Sequence, residues 1–179
     1  MIFTETPIAG AYLLDPEPKG DDRGFFARAW CEREFGARGL TARFVQCNNS
    51  FSRDRGTLRG LHYQADPHGE VKLMRCIRGA VYDAIVDMRP GSPSYLRWFG
   101  VELSADNRRA LYVPAGCAHG YETLAYGSEV LYPVSAFYVP EAERGVRWDD
   151  PMFGVTWPLP PAQLSEKDRR WPDVRREVP

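Results

Sequence analysis

The sequence lacks any long hydrophobic run, and its longest apolar stretches fall far short of the roughly 20 residues a membrane-spanning helix needs. No partnership with a membrane is expected. Charge of one sign is also missing: 23 Lys and Arg stand against 24 Asp and Glu, for a net charge of -1. That balance leaves no electrostatic footprint for nucleic acid, so an anionic ligand has to be met by a local arginine cluster. Cysteine is sparse, and Cys31, Cys47, Cys76 and Cys117 show no C-x-x-C spacing. With no secretory apolar segment at the N-terminus, they read as reduced thiols of a soluble, cytoplasmic protein. Repeats, linkers and low-complexity tracts are absent, so residues 1–179 are expected to form one domain, long enough to bury about 70% of the unfolded surface.

The residues present are punctuated as in an all-β protein. Val71 to Ile77, Val81 to Met88, Arg97 to Leu103, Ala110 to Val113 and Glu129 to Ser135 are short, rich in β-branched and aromatic residues, and separated by Gly, Pro, Asn, Asp or Ser. Strands at this spacing predict a sandwich or jelly-roll barrel. In the first of them Lys72, Met74 and Cys76 share one face while Val71, Leu73 and Ile77 share the other, and both faces are expected to be covered. Gly79 ends that run before Val81 pairs back. Helical periodicity is clear only from Phe26 to Phe35, ahead of Gly36 and Gly39. It is weak after Ser165, where Ser165-Glu166-Lys167-Asp168 has the form of a capping box. Trp157-Pro158-Leu159-Pro160-Pro161 reads as an extended crossing segment.

Histidine is scarce too, with three in the chain, and two of them stand in loaded settings. His62 lies in Arg59-Gly60-Leu61-His62-Tyr63-Gln64, eight residues before the stretch Glu70-Val71-Lys72, and His119 follows the tight turn Pro114-Ala115-Gly116. A possible base and a possible oxyanion partner thus flank one loop. His68, in Asp66-Pro67-His68-Gly69, looks like a solvated loop tip.

Taken together, Asp22-Arg23-Gly24-Phe25-Phe26, Leu58 to Gln64, Lys72-Leu73, Pro114 to Gly120, Leu131-Tyr132, Tyr138 and Trp148-Asp149-Asp150-Pro151 through Trp157-Pro158 resemble, in order and spacing, the dTDP-4-dehydrorhamnose 3,5-epimerase family. The resemblance spans roughly residues 1 to 170. It implies a cupin-type jelly roll (a double-stranded β-helix) with a few short helices, and a homodimer exchanging N-terminal strands. It also implies catalysis on a nucleotide-linked 4-keto-6-deoxy sugar with no cofactor, metal or organic.

Epimerisation beside a ketone needs a base for the α-proton, a donor for the enolate oxygen and an acid on the opposite face. The resemblance assigns these roles to His62, Lys72 and Tyr132, with Asp168 orienting the imidazole. Plainer readings are a satisfied barrel histidine for His62, a helix N3 capping residue for Asp168, a core aromatic for Tyr132 and a surface lysine for Lys72. For the substrate it implies Arg59 and Arg23 as guanidinium forks on the pyrophosphate. Arg23 and Phe26 would reach the neighbouring subunit's site, Gln46, Asn48 and Asn49 would meet the nucleoside, and His119 and Tyr138 would line the pocket. Asn48, Asn49 and Ser50 would equally make a turn.

Because Pro-x-Gly-x-x-His is also a metal motif of many cupins, a metal-dependent or merely ligand-binding cupin is the competing class. It would use His62, Glu70 and His119, although Gln64 breaks the usual His-x-His pair. Three departures from the family pattern bear on the substrate. Arg28 stands where the family has a glutamate, Glu70 where it has a glutamine, and Pro133 where many members carry a lysine. Arg28 would invert the hydrogen-bond sign toward a base and favour cytosine over thymine if it faces the nucleoside. Glu70 would pair with Lys72. Whether C3, C5 or both are inverted is left open.

Overall fold

The computed structural model describes residues 1–174. In chain order its strands are β1 (Ile2–Glu5), β2 (Tyr12–Asp15), β3 (Lys19–Asp21), β4 (Gly24–Phe26), β5 (Gln46–Ser52), β6 (Leu58–Gln64), β7 (Lys72–Arg78), β8 (Ala80–Asp87), β9 (Trp98–Ser104), β10 (Ala110–Val113), β11 (Cys117–Thr123), β12 (Ser128–Val134) and β13 (Glu143–Gly145). Two short α-helices, α1 (Glu32–Gly36) and α2 (Glu166–Arg169), complete it with a 3₁₀ turn at Pro140–Ala142. One antiparallel sheet has the order β1-β2-β10-β7-β12-β5 and the other β13-β6-β11-β8-β9. The two face each other as an all-β jelly roll, as expected.

Strand alternation builds three apolar layers. Between the sheets, Met74, Cys76, Leu111, Val113 and Val130 of one meet Val81, Ile85, Leu103, Cys117 and Tyr121 of the other. On the outer face of the six-stranded sheet Leu14, Leu73 and Tyr112 pack under Phe35 of α1. Phe35 is fully buried, edge-on to Phe3 at 5.3 Å and to Tyr112 at 5.8 Å. On the outer face of the five-stranded sheet Leu61, Val86 and Ala118 lie under Val146 and Phe153 of the C-terminal segment.

The five expected strands form within one residue of their expected bounds, and β7 presents Lys72, Met74 and Cys76 inward. Its outer face is covered only in part, since the α1 layer reaches Leu73 and leaves Ile77 42% exposed. The helix expected from Phe26 to Phe35 forms only at Glu32–Gly36. Phe26 instead pairs with Lys19 in the β3–β4 hairpin, so cross-strand pairing claims the start of the 3.6-residue pattern. The turn alternative for Asn48 to Ser50 is likewise overturned, because those residues pair with Tyr132, Leu131 and Val130 along β12. The proline-rich run does cross the barrel end as an extended strap. Leu159 N–H donates to Glu122 at 3.0 Å, and Ala162 N–H and Leu58 N–H tie the strap to the start of β6 at 2.8 and 2.9 Å.

Candidate active site

A cavity of about 520 Å³ opens between the sheets, lined by His62, Lys72, Tyr132, Arg59, His119 and Tyr121, with Ser165, Lys167 and Asp168 from the C-terminal segment. The five-stranded sheet supplies His62 on β6 and His119 on β11, and the six-stranded sheet supplies Lys72 on β7 and Tyr132 on β12. The would-be base and acid therefore stand on opposing walls.

A bulge makes this wall possible. Arg59 and His62 are three residues apart and would point to opposite faces of a regular strand. Along β6 and β11 the pairing runs His62 with His119 and Arg59 with Tyr121, with a register shift between. Gly60 sits in the shift with φ of 118°, and a Cβ there would come within 2.6 Å of Gly120 Cα. Only glycine permits that approach. Both side chains consequently face the cavity.

His62 Nε2 lies 2.5 Å from Asp168 Oδ1, and Asp168 is 4% exposed. A carboxylate only accepts, so Nε2 carries the proton in this bond, and in the neutral imidazole the lone pair lies on Nδ1. The Asp168 backbone N–H donates to Ser165 Oγ at 3.1 Å and Gly60 N–H to Asp168 Oδ2 at 3.4 Å. Capping and histidine pairing, posed as alternatives for Asp168, coexist: its backbone takes the cap and its side chain takes the imidazole. Burial pushes the Asp168 carboxyl up, but the hydrogen bond and charge of His62, with Ser165 and Gly60, bring it below the usual carboxylate range.

Lys72 Nζ donates to the His62 carbonyl oxygen at 3.2 Å and ion-pairs with Glu70 Oε1 at 3.2 Å, so the plain surface reading fails: Lys72 is buried. A tetrahedral ammonium held by two chain acceptors keeps one N–H for the cavity. Burial, reinforced by Tyr121 and Glu70, raises the Tyr132 phenol above its ordinary range, with the Arg59 charge and then Asn48 across the strand opposing. His119 Nε2 lies 3.0 Å from each oxygen of fully buried Asp83. Asp83 was missed in the sequence; its signal was a carboxylate within the apolar run of β8.

The other predicted binding residues are dispersed. Arg59 lies at the cavity rim, bonded to Ser52 Oγ and the Phe51 carbonyl at 3.2 Å each. Gln46 and Asn48 share the β5 face of Ser50, and of these Ser50 reaches the cavity, where its hydroxyl meets Tyr121 at 2.9 Å. Arg23, Phe26, Arg28 and Tyr138 are exposed and do not line this chain's cavity. Arg23 is paired with Asp21, Arg28 with Glu34 at 2.7 Å, and Tyr138 donates to Glu143 at 2.8 Å. His68 is an exposed loop tip, as expected.

The metal alternative finds no convergent ligand set. His62 pairs with Asp168, His119 with Asp83 and Glu70 with Lys72. Gln64, where the missing histidine would stand, ties loops together through the His68 and Phe137 carbonyls and the Val139 N–H. Among the described residues no three His, Cys, Asp or Glu side chains could hold an ion.

This combination has known relatives. A sequence model of dTDP-4-dehydrorhamnose 3,5-epimerase matches residues 5–176. The chain belongs to that family. A Pseudomonas aeruginosa dTDP-4-dehydrorhamnose 3,5-epimerase is 46% identical, over 95% of this chain and 94% of that protein. The crystal structure of the Bacillus anthracis enzyme, with TDP and PPi bound, is 43% identical with a TM-score of 0.92, covering 97% of this chain and 99% of that one. The Legionella pneumophila epimerase structure, in complex with dTDP-4-keto-L-rhamnose, is 38% identical with a TM-score of 0.86, over 93% and 89% of the two chains. The family membership makes the chain an isomerase and its fold the family's cupin-type jelly roll.

Proposed function

We propose that the chain inverts C3, C5 or both of a dTDP-linked 4-keto-6-deoxyhexose by removing and returning the proton α to the ketone. The observation that carries this is the disposition of His62 with Asp168 on one sheet and Tyr132 with Lys72 on the other, around one cavity. His62 Nδ1 takes the α-proton, and the electron pair moves into the ketone, forming the enolate. The Lys72 ammonium hydrogen-bonds the developing oxyanion, while Asp168 stabilises the imidazolium. Tyr132 then gives its phenolic proton to the same carbon from the opposite face. Return of the His62 proton to the phenolate through solvent restores the enzyme. A phenol held above its ordinary range stays protonated at neutral pH and yields its proton only to a strong base, which the enolate carbon is.

Arg59 at the rim, bonded through Nε and Nη2 among the described residues, is the fork for the pyrophosphate through its remaining donors, and His119, fixed by Asp83, hydrogen-bonds the same substrate. Exposed Arg23 and Phe26, on a hairpin away from this cavity, support a homodimer in which each copy completes the other's site. Gln46, Asn48 and Tyr138 belong to the nucleoside and sugar contacts made there. The same reading puts the protein in the cytoplasm.

Deuterium wash-in from solvent at C3 and C5, followed by NMR on dTDP- and CDP-linked 4-keto-6-deoxyhexoses, tests the activity. Exchange at neither carbon would refute it. Since Glu34 already engages Arg28, dTDP should bind more tightly than CDP, and Arg28→Glu should preserve that order. Tighter CDP binding, reversed in the variant, would show that Arg28 reads cytosine.

A further inference from the structure

Gly145 of β13 lies directly opposite His62 of β6 in the antiparallel ladder. Opposed residues present their side chains on one face, so any side chain at this position would stand beside the imidazole. Glycine leaves the slot open, and Trp171 fills it. A Cβ added at Gly145 would come within 2.2 Å of Trp171 Cε2 and 2.5 Å of its Cδ2 and Nε1. The indole meets the His62 ring edge to face, with centroids 6.1 Å apart and planes at 63°. It does not line the cavity.

Trp171 is also three residues beyond Asp168. The helix that carries Asp168 has four residues, too short to hold itself in place, so the carboxylate depends on tertiary anchors. Those anchors flank Trp171 along the chain. Lys167, 5.9 Å from the ring centroid, is ion-paired with Glu143 at 2.5 Å, Asp173 meets Arg147 at 3.2 Å, and Val174 N–H donates to Asp150 at 2.6 Å. The indole Nε1 is buried without a hydrogen-bond partner among the described residues.

We propose that Trp171 is the positioning residue of the His62–Asp168 pair, seated in a socket that Gly145 keeps open. It backs the imidazole on one side and fixes the segment carrying the carboxylate on the other. This inference rests on the reading of His62 as the base.

The test is a cycle of Trp171→Ala, Gly145→Ala and their double variant, with Trp171→Phe as the conservative control. The rates are read as deuterium wash-in into a dTDP-linked 4-keto-6-deoxyhexose, and dTDP affinity is read by calorimetry. Trp171→Ala and Gly145→Ala should each slow exchange about 10- to 100-fold with dTDP affinity within about twofold, while Trp171→Phe stays within about threefold of wild type. Gly145 has no positive φ, so its alanine variant acts through the collision with the indole. The double variant should then be no slower than the worse single, because the added methyl no longer has a ring to strike. Multiplying losses, or Trp171→Ala within about twofold of wild type, would overturn the proposal.

A second readout is independent of turnover. With three histidines in the chain, the imidazole ¹⁵N–¹H signals of His62 are assigned by their loss in His62→Gln. Trp171→Ala, or Gly145→Ala if the former does not fold, should shift those signals and leave His68 and His119 in place. Unshifted His62 signals overturn the inference. Full exchange in His62→Gln would sink the assignment of the base instead, while shifted His62 signals would still uphold the pairing with Trp171.

Discussion

Replacing Asp168 by asparagine separates two jobs that one residue performs. The cap on α2 uses the backbone N–H of residue 168, which survives the substitution, whereas the bond to His62 Nε2 uses the carboxylate at 2.5 Å. An amide can turn its NH₂ toward Nε2, which then needs its lone pair there, so the proton moves to Nδ1 and the basic site is lost. A wrong-tautomer base is expected to cost about 10²–10⁴ in exchange rate, or about 2.7–5.4 kcal/mol of barrier. Ser165→Ala should do the reverse, losing about 1 kcal/mol of cap and about 2–4 °C of melting temperature in a chain of this size. Wash-in kinetics and thermal melts on both variants decide the matter. If Asp168→Asn exchanges within about threefold of wild type, the carboxylate does not orient the base and residue 168 serves α2 through its backbone cap alone. The acid side carries a further sign. The folded carboxyl lies below its unfolded value, so its contribution to stability is present above the ordinary carboxylate range and is lost as pH falls through the folded value. Asp168→Asn should lack that acid-linked increment.

Three other outcomes follow from the geometry. Tyr132→Phe should leave proton abstraction, seen as wash-in, better preserved than net inversion; equal loss of both would refute the division between the two walls. Lys72→Met removes the ammonium that meets the oxyanion and should slow exchange by roughly 2–4 kcal/mol of barrier, with unchanged exchange counting against that role. Asp87 is fully buried, and although burial pushes it up, Arg89, Ser92 and Ser94 hold its carboxyl at about 2. Its unfolded value is higher, so roughly 2–3 kcal/mol of stability is present above about pH 4 and lost toward pH 2. Acid unfolding of Asp87→Asn with the wild-type pH dependence would contradict this.

Much of the fold was legible in the sequence because β alternation with Gly and Pro punctuation is a local signal. Val71 to Ile77 and Ala110 to Val113 announced their strands, and the inward face of Lys72, Met74 and Cys76 followed from period two. Phe26 to Phe35 misled for the same local reason: a helical spacing was visible, while the partner strand that captured Phe26 was not. The position of the cap at Ser165 was readable locally and the pairing of Asp168 with His62, 106 residues away, was implied only by the family resemblance; that one residue serves both was not legible, because the two stood as alternatives.

The residue types of the chemistry, the order of the motifs and the all-β class are local properties, each written in neighbouring residues. Which of those residues meet was settled by folding. The β6 bulge turned Arg59 and His62 to one face, buried Asp83 gave His119 its partner, and Gly145 left a space that Trp171 occupies. Such contacts depend on register and on the volume left between distant segments, and neither is encoded in any short stretch of chain.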